Sequence, residues 1–151
     1  MLDKTGRIAH LIRRASELSV MDWLYLATAV KELLIARVWH AVSPAGRILR
    51  KLEKGGEGPQ QRTARDIDVE RVSWALAAAA ARVPWRSDCL LTAMAADRWL
   101  RRHGLTPTFY LGVARPAGDR FEAHAWLRCG DVIVTGGTAV DYTPLMPSTS
   151  I

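Results

Sequence analysis

Pro84-Trp85-Arg86-Ser87-Asp88-Cys89-Leu90 is a polar turn running into an apolar segment, Leu91-Thr92-Ala93-Met94-Ala95-Ala96-Asp97-Arg98-Trp99-Leu100, which ends in Arg101-Arg102-His103-Gly104. Leu90, Leu91, Met94, Ala95, Trp99 and Leu100 recur at steps of three and four residues, so the segment from Cys89 is a helix with one apolar face. Basic residues in its last turn followed by glycine mark its end. The period then changes to two. Thr108 to Ala114, Phe121 to Cys129 and Val132 to Thr135 read as three strands, with turns at Asp119-Arg120 and Gly130-Asp131. A cysteine-headed helix followed by an antiparallel meander is an α+β fold.

The residues before this helix are helical as well. Residues 7–18 place Ile8, Leu11, Ile12, Ala15 and Leu18 at helical spacing among basic residues. A break at Ser19 to Met21, with Asp22 as cap, introduces a second helix from about Trp23 to Ala41. Lys31, Glu32 and Arg37 interrupt that helix, which argues for a core helix and against a membrane span, with an amphipathic helix docking on a partner or membrane surface as the alternative. Ser43-Pro44 starts a short helix to about Leu52, and Lys54 to Gln61 is a breaker cluster rich in glycine. A further helix runs from about Ile67 to Arg82 and stops before Pro84. The expected organisation is an N-terminal helical subdomain and linker over 1–60 and a core over 61–151, packed as one unit.

The chain has 151 residues, a formal net charge of +6 and an isoelectric point near 9.9. Its basic excess clusters at Arg13-Arg14, Arg50-Lys51 and Arg101-Arg102. Such pairs make a solvated basic surface or one that meets an acidic partner such as an acidic peptide. The aromatics do not interleave with the basic residues, which argues against nucleic acid. Met1 to Thr5 has no apolar core behind its charge, so no export signal is read. Two cysteines, Cys89 and Cys129, then read as reduced thiols of a cytoplasmic protein and not as a disulfide. No metal-ligand spacing is present, and no cofactor is expected.

Cys89 and His124 carry the candidate chemistry. Free cysteine is most often a small buried hydrophobe, and that is the reading given to Cys129 beside Gly130. Cys89 differs because Ser87 or Asp88 caps the helix that it begins. A helix N-terminus favours the thiolate, and the Cys89 N–H is free to bind an oxyanion. His124, in Glu122-Ala123-His124-Ala125-Trp126, shares a strand face with Glu122 and Trp126. An imidazole there can take the thiol proton and return it to a leaving amine. His10, His40 and His103 fall on helix surfaces or ends. A group that orients His124 is harder to find. With a three-residue turn at Cys129–Asp131 the residue facing His124 is Gly136, and with a two-residue turn it is Gly137. Thr135, Asp141 folding back, or a backbone carbonyl remain as candidates.

The blocks Val83-Pro84-Trp85, Cys89-Leu90, Leu100 to Leu105, Leu111-Gly112-Val113 and Ala123-His124-Ala125-Trp126 together resemble the transglutaminase-like leader peptidases of lasso-peptide biosynthesis, in their stand-alone form. The resemblance is strong over about 70–137 and general in the N-terminal helices. It implies a papain-like or transglutaminase-like core, in which a Cys-headed helix packs on a small antiparallel sheet. It implies Cys89 as nucleophile, His124 as general base, and an Asp at the position occupied here by Gly136. It further implies a precursor peptide as substrate, a separate small leader-binding recognition protein, and an ATP-dependent macrolactam synthetase that acts on the freed core. The alternatives are a non-catalytic peptide-binding or scaffolding protein on the same fold, and an acyl transferase or amidase using the same thioester.

Overall fold

The structure is a computed structural model that describes residues 18–44, 47, 50, 67–114, 122–137 and 143–146. The helix expected over 7–18 (Leu18 apart), the breaker cluster at 54–61 and the turn at Asp119-Arg120 lie outside the described residues, as does most of the short helix after Ser43.

Three long helices precede the sheet among the described residues: α1 (Val20–Val42), α2 (Val69–Ala80) and α3 (Cys89–Arg102). Helix α1 begins earlier than the sequence suggests. Ser19, not Asp22, is the cap: its Oγ accepts from Asp22 N–H at 3.2 Å, and Asp22 Oδ2 accepts from Ser19 N–H at 2.9 Å. This reciprocal pair is a capping box with Asp in the glutamate position, and it moves the helix start back by one turn. Asp68 caps α2 by accepting from Arg71 N–H at 3.0 Å.

Helix α1 packs on α2 and α3, and both of these pack on the sheet. Leu33, Val72, Leu76, Leu91, Met94 and Leu100 fill the space between the helices, each at most 2% exposed. The sheet has four strands in the order β3-β2-β1-β4: β1 (Thr108–Ala114), β2 (Glu122–Cys129), β3 (Val132–Thr135) and β4 (Thr143–Met146). All neighbours run antiparallel. Strands β1 to β3 are the expected meander. Strand β4 is an addition, and it pairs with the free edge of β1.

Alternation along the strands sorts the side chains. Phe109, Ala125, Leu127 and Cys129 join the core that the helices cover. Tyr110 and Trp126, directly opposite each other on β1 and β2, stack on the other face with ring centroids 5.4 Å apart. The membrane argument from sequence has its structural counterpart: among the described residues no helix is long and apolar enough to cross a bilayer. The charge that interrupts α1 has a specific use. Glu32 is 1% exposed and bonds Arg98 on α3 at 2.7 Å, tying the two helices together.

Candidate active site

Cys89 is the first residue of α3, and the cap is Asp88, not Ser87. Asp88 Oδ1 accepts from Leu91 N–H at 3.0 Å. The Ser87 hydroxyl is buried without a hydrogen-bond partner among the described residues. With the Leu91 donor taken by the cap, the N–H groups of Cys89 and Leu90 point out of the helix end with no acceptor inside the helix. The positive end of the helix dipole lies beside Cys89, where it favours an oxyanion. The Cys89 side chain is half-buried and leans on the core.

His124 lies half-buried on β2, the strand on which α3 packs. Its ring stacks near Trp126, with centroids 6.2 Å apart and planes 21° apart. His124 Nε2 is 2.6 Å from the carbonyl oxygen of Gly136, just past the end of β3. Trp126 is 7% exposed, so this hydrogen bond forms beside an aromatic wall.

The register that produces this bond differs from both sequence alternatives. The turn has two residues, since Cys129 pairs with Val132 and Arg128 with Ile133. An irregularity then shifts the ladder, and Leu127 pairs with Thr135. The extra residue brings Gly136 against Trp126, one position along from the expected pairing. Gly136 has φ +95°, and a Cβ there would overlap the Trp126 Cβ and come within 2.8 Å of Ala125 O and Trp126 Cα. The position that the resemblance assigns to Asp therefore has no room for a side chain. Of Gly136, it is the backbone oxygen that reaches His124. Of the other candidate orienters, the Thr135 hydroxyl is buried without a hydrogen-bond partner among the described residues, and Asp141 lies outside them.

The structure thus brings His124, Trp126, Tyr110 and the Gly136 carbonyl together on the sheet. It sets Cys89 at the head of the helix packed on that sheet. Cys129 sits in the core at 8% exposure. Burial raises its thiol pKa, and the Arg101 guanidinium only partly offsets this, so Cys129 is a poor nucleophile. Among the described residues no group of three or more His, Cys, Asp or Glu side chains could hold a metal ion.

A family model of the transglutaminase-like superfamily matches residues 29–147, which include Cys89, His124 and all four strands. The chain belongs to the transglutaminase-like superfamily. That superfamily includes cysteine peptidases, which fits a thiol at a helix head and an imidazole on the adjoining sheet. The α+β core read from the sequence, a Cys-headed helix on a small antiparallel sheet, is the transglutaminase-like core observed here. No curated protein and no solved structure matches the chain.

Proposed function

We propose that this transglutaminase-like protein is a cytoplasmic cysteine peptidase that removes the leader from a ribosomally made lasso precursor peptide. The observation that carries the reading is the position of Cys89: first residue of a capped helix, on a sheet whose neighbouring strand bears a held histidine. The resemblance in Cys89-Leu90 and Ala123-His124-Ala125-Trp126 supplies the substrate class.

The chemistry divides into two steps. The Cys89 sulfur attacks the scissile carbonyl carbon, the carbonyl π electrons move to oxygen, and the oxyanion takes the Cys89 N–H as a donor. The intermediate collapses, the C–N bond breaks, and His124 gives its proton to the departing amine. Water then attacks the thioester, His124 accepts a proton from it, and the C–S bond breaks as His124 returns that proton to the sulfur, releasing the acid and the thiol. A carbonyl oxygen can only accept, so the bond to Gly136 fixes a hydrogen on His124 Nε2. In the proposed mechanism the other ring nitrogen, Nδ1, is the atom assigned to take the thiol proton. The Gly136 carbonyl plays the positioning part that a carboxylate plays in other triads. In this mechanism thiol and imidazole close on each other when substrate binds, as catalytic hydrogen bonds often tighten only in the complex.

The resemblance also supplies the partners: a small leader-binding protein that delivers the precursor, and an ATP-dependent macrolactam synthetase that closes the freed core. The test is leader cleavage followed by mass spectrometry, with the leader-binding protein present. Cys89→Ala and His124→Ala are expected to abolish cleavage while the chain stays folded, and an undiminished Cys89→Ala enzyme ends the reading. The second reading is a non-catalytic peptide-binding homologue, favoured by the lack of a side chain at Gly136. A thiol-reactive probe near neutral pH separates the two, because an activated Cys89 labels fast and an inert one does not.

A further inference from the structure

Three cations crowd one buried carboxylate between α1 and α3. Arg98 Nε lies 2.7 Å from Glu32 Oε2, Lys31 Nζ lies 3.3 Å from Oε1, and Arg102 Nη1 lies 3.8 Å from Oε1. Three positive charges against one negative give the cluster a net charge of +2. The Arg98 pair is the shortest and takes Oε2, while Lys31 and Arg102 share Oε1. Lys31 and Arg102 are the more open of the three cations, with side chains 54% and 58% exposed. Both line a groove of about 440 Å³ between α1 and the C-terminal end of α3.

Polar and apolar groups share the rest of that groove, and the apolar ones form a wall. Met21 and Leu24 stand on one wall at 51% and 56% exposure. Tyr25 and Trp99 contribute rings with centroids 5.6 Å apart. A concavity with an apolar wall and a rim of net positive charge is complementary to a segment carrying a carboxylate beside large apolar side chains. We propose that this groove docks an acidic, apolar segment of a partner polypeptide, with an Asp or Glu carboxylate seated between Lys31 and Arg102 and an adjoining apolar side chain on Met21, Leu24, Tyr25 and Trp99. An anionic bilayer is the competing occupant for a basic and apolar surface. The concavity favours the peptide, because Trp99 is 4% exposed and a flat surface does not reach it. The groove stands on its own geometry and does not depend on the chemistry assigned to Cys89.

The experiment selects short random peptides displayed on phage against the full-length chain. Selected peptides are synthesised with a fluorophore, and their affinity is measured by anisotropy for wild type, Cys89→Ala, Leu24→Ser and the double variant Lys31→Gln/Arg102→Gln. The expected peptides combine Asp or Glu with Leu, Phe or Trp. Their binding weakens about tenfold in the double variant, the scale of losing two exposed ion pairs. It also weakens with added salt and in Leu24→Ser, and it is unchanged in Cys89→Ala. The double variant keeps the Arg98–Glu32 pair, and circular dichroism checks that it folds. The proposal is overturned if no peptide is selected, if the selected peptides lack acidic residues, or if they bind the double variant as well as wild type. Sedimentation of the chain with phosphatidylglycerol vesicles, lost in the double variant while peptide binding is not, overturns it in favour of the bilayer.

Discussion

Replacing Gly136 with alanine perturbs the bend after β3 that holds His124. Two costs follow from the structure. A backbone at φ +95° places a Cβ in a region that costs an L-residue roughly 1–2 kcal/mol. The added carbon also overlaps the Trp126 Cβ and comes within 2.8 Å of Ala125 O and Trp126 Cα. Two of those three atoms are backbone, so no side-chain rotation relieves the clash, and overpacking of this kind adds roughly 1–3 kcal/mol. Gly137 is an internal control. It too has positive φ, +60°, but a Cβ added there would meet nothing within 4 Å among the described residues. Gly137→Ala therefore bears only the backbone cost, about 1 kcal/mol. For a chain of this length the expected melting-temperature losses are about 10 °C for Gly136→Ala and about 3 °C for Gly137→Ala. The assay is thermal and urea unfolding followed by circular dichroism. Melting temperatures for the two variants within about 2 °C of each other would refute the close approach of Gly136 to Trp126 on which this difference depends. Gly136→Asp meets the same obstruction, so installing the carboxylate that the resemblance assigns there should lower stability, and with it the proposed leader cleavage.

Three other expectations can be checked with the same protein. Arg98→Ala leaves Glu32 buried with only its longer-range cations, and should cost about 2 kcal/mol in urea unfolding, less than a fully buried pair because the arginine is partly exposed; a loss below a few tenths would show that the pair does not join α1 to α3. Burial raises the Cys129 pKa, so as pH rises through the ordinary thiol range, near 8.5, the unfolded chain ionises before the folded one and stability falls. Cys129→Ala should therefore lose less stability than wild type between about pH 8 and pH 10, and parallel curves would contradict the shift. Dibromoacetone, which carries two alkylating carbons flanking one carbonyl, should bridge Cys89 to His124 in a peptide map, whereas alkylation of Cys89 alone would deny that the thiol and imidazole close on each other.

Much of this fold is legible in the sequence because period and capping chemistry are local. The change from helical steps in α3 to alternation in β1 and β2 follows from which residues are apolar, and β3 lies at Val132 to Thr135 as expected. The reading of α+β needs nothing else. The start of α1 is obscured because the capping box uses Asp22 where Glu or Gln is usual, which makes the aspartate look like the cap itself. Strand β4 is hidden because Thr143-Pro144-Leu145-Met146 does not alternate and contains a proline, which an edge strand tolerates. Cys89 and His124 can be nominated because side chains with reactive atoms are visible in a sequence. The oxygen that holds His124 cannot, since every residue has a carbonyl. Only the Gly136-Gly137 pair hints that the backbone there adopts an unusual path. The shift that delivers this oxygen depends on one extra residue between two ladder pairs, and no residue type announces it.

Pairing of β4 with β1 has a practical corollary for anyone trimming this protein. A version that stops before Thr143 would strip β1 of its outer neighbour and leave a row of amide and carbonyl groups open to any extended chain nearby. Such a version should self-associate during purification, and an affinity tag is better joined through a spacer beyond Met146 than substituted for that strand.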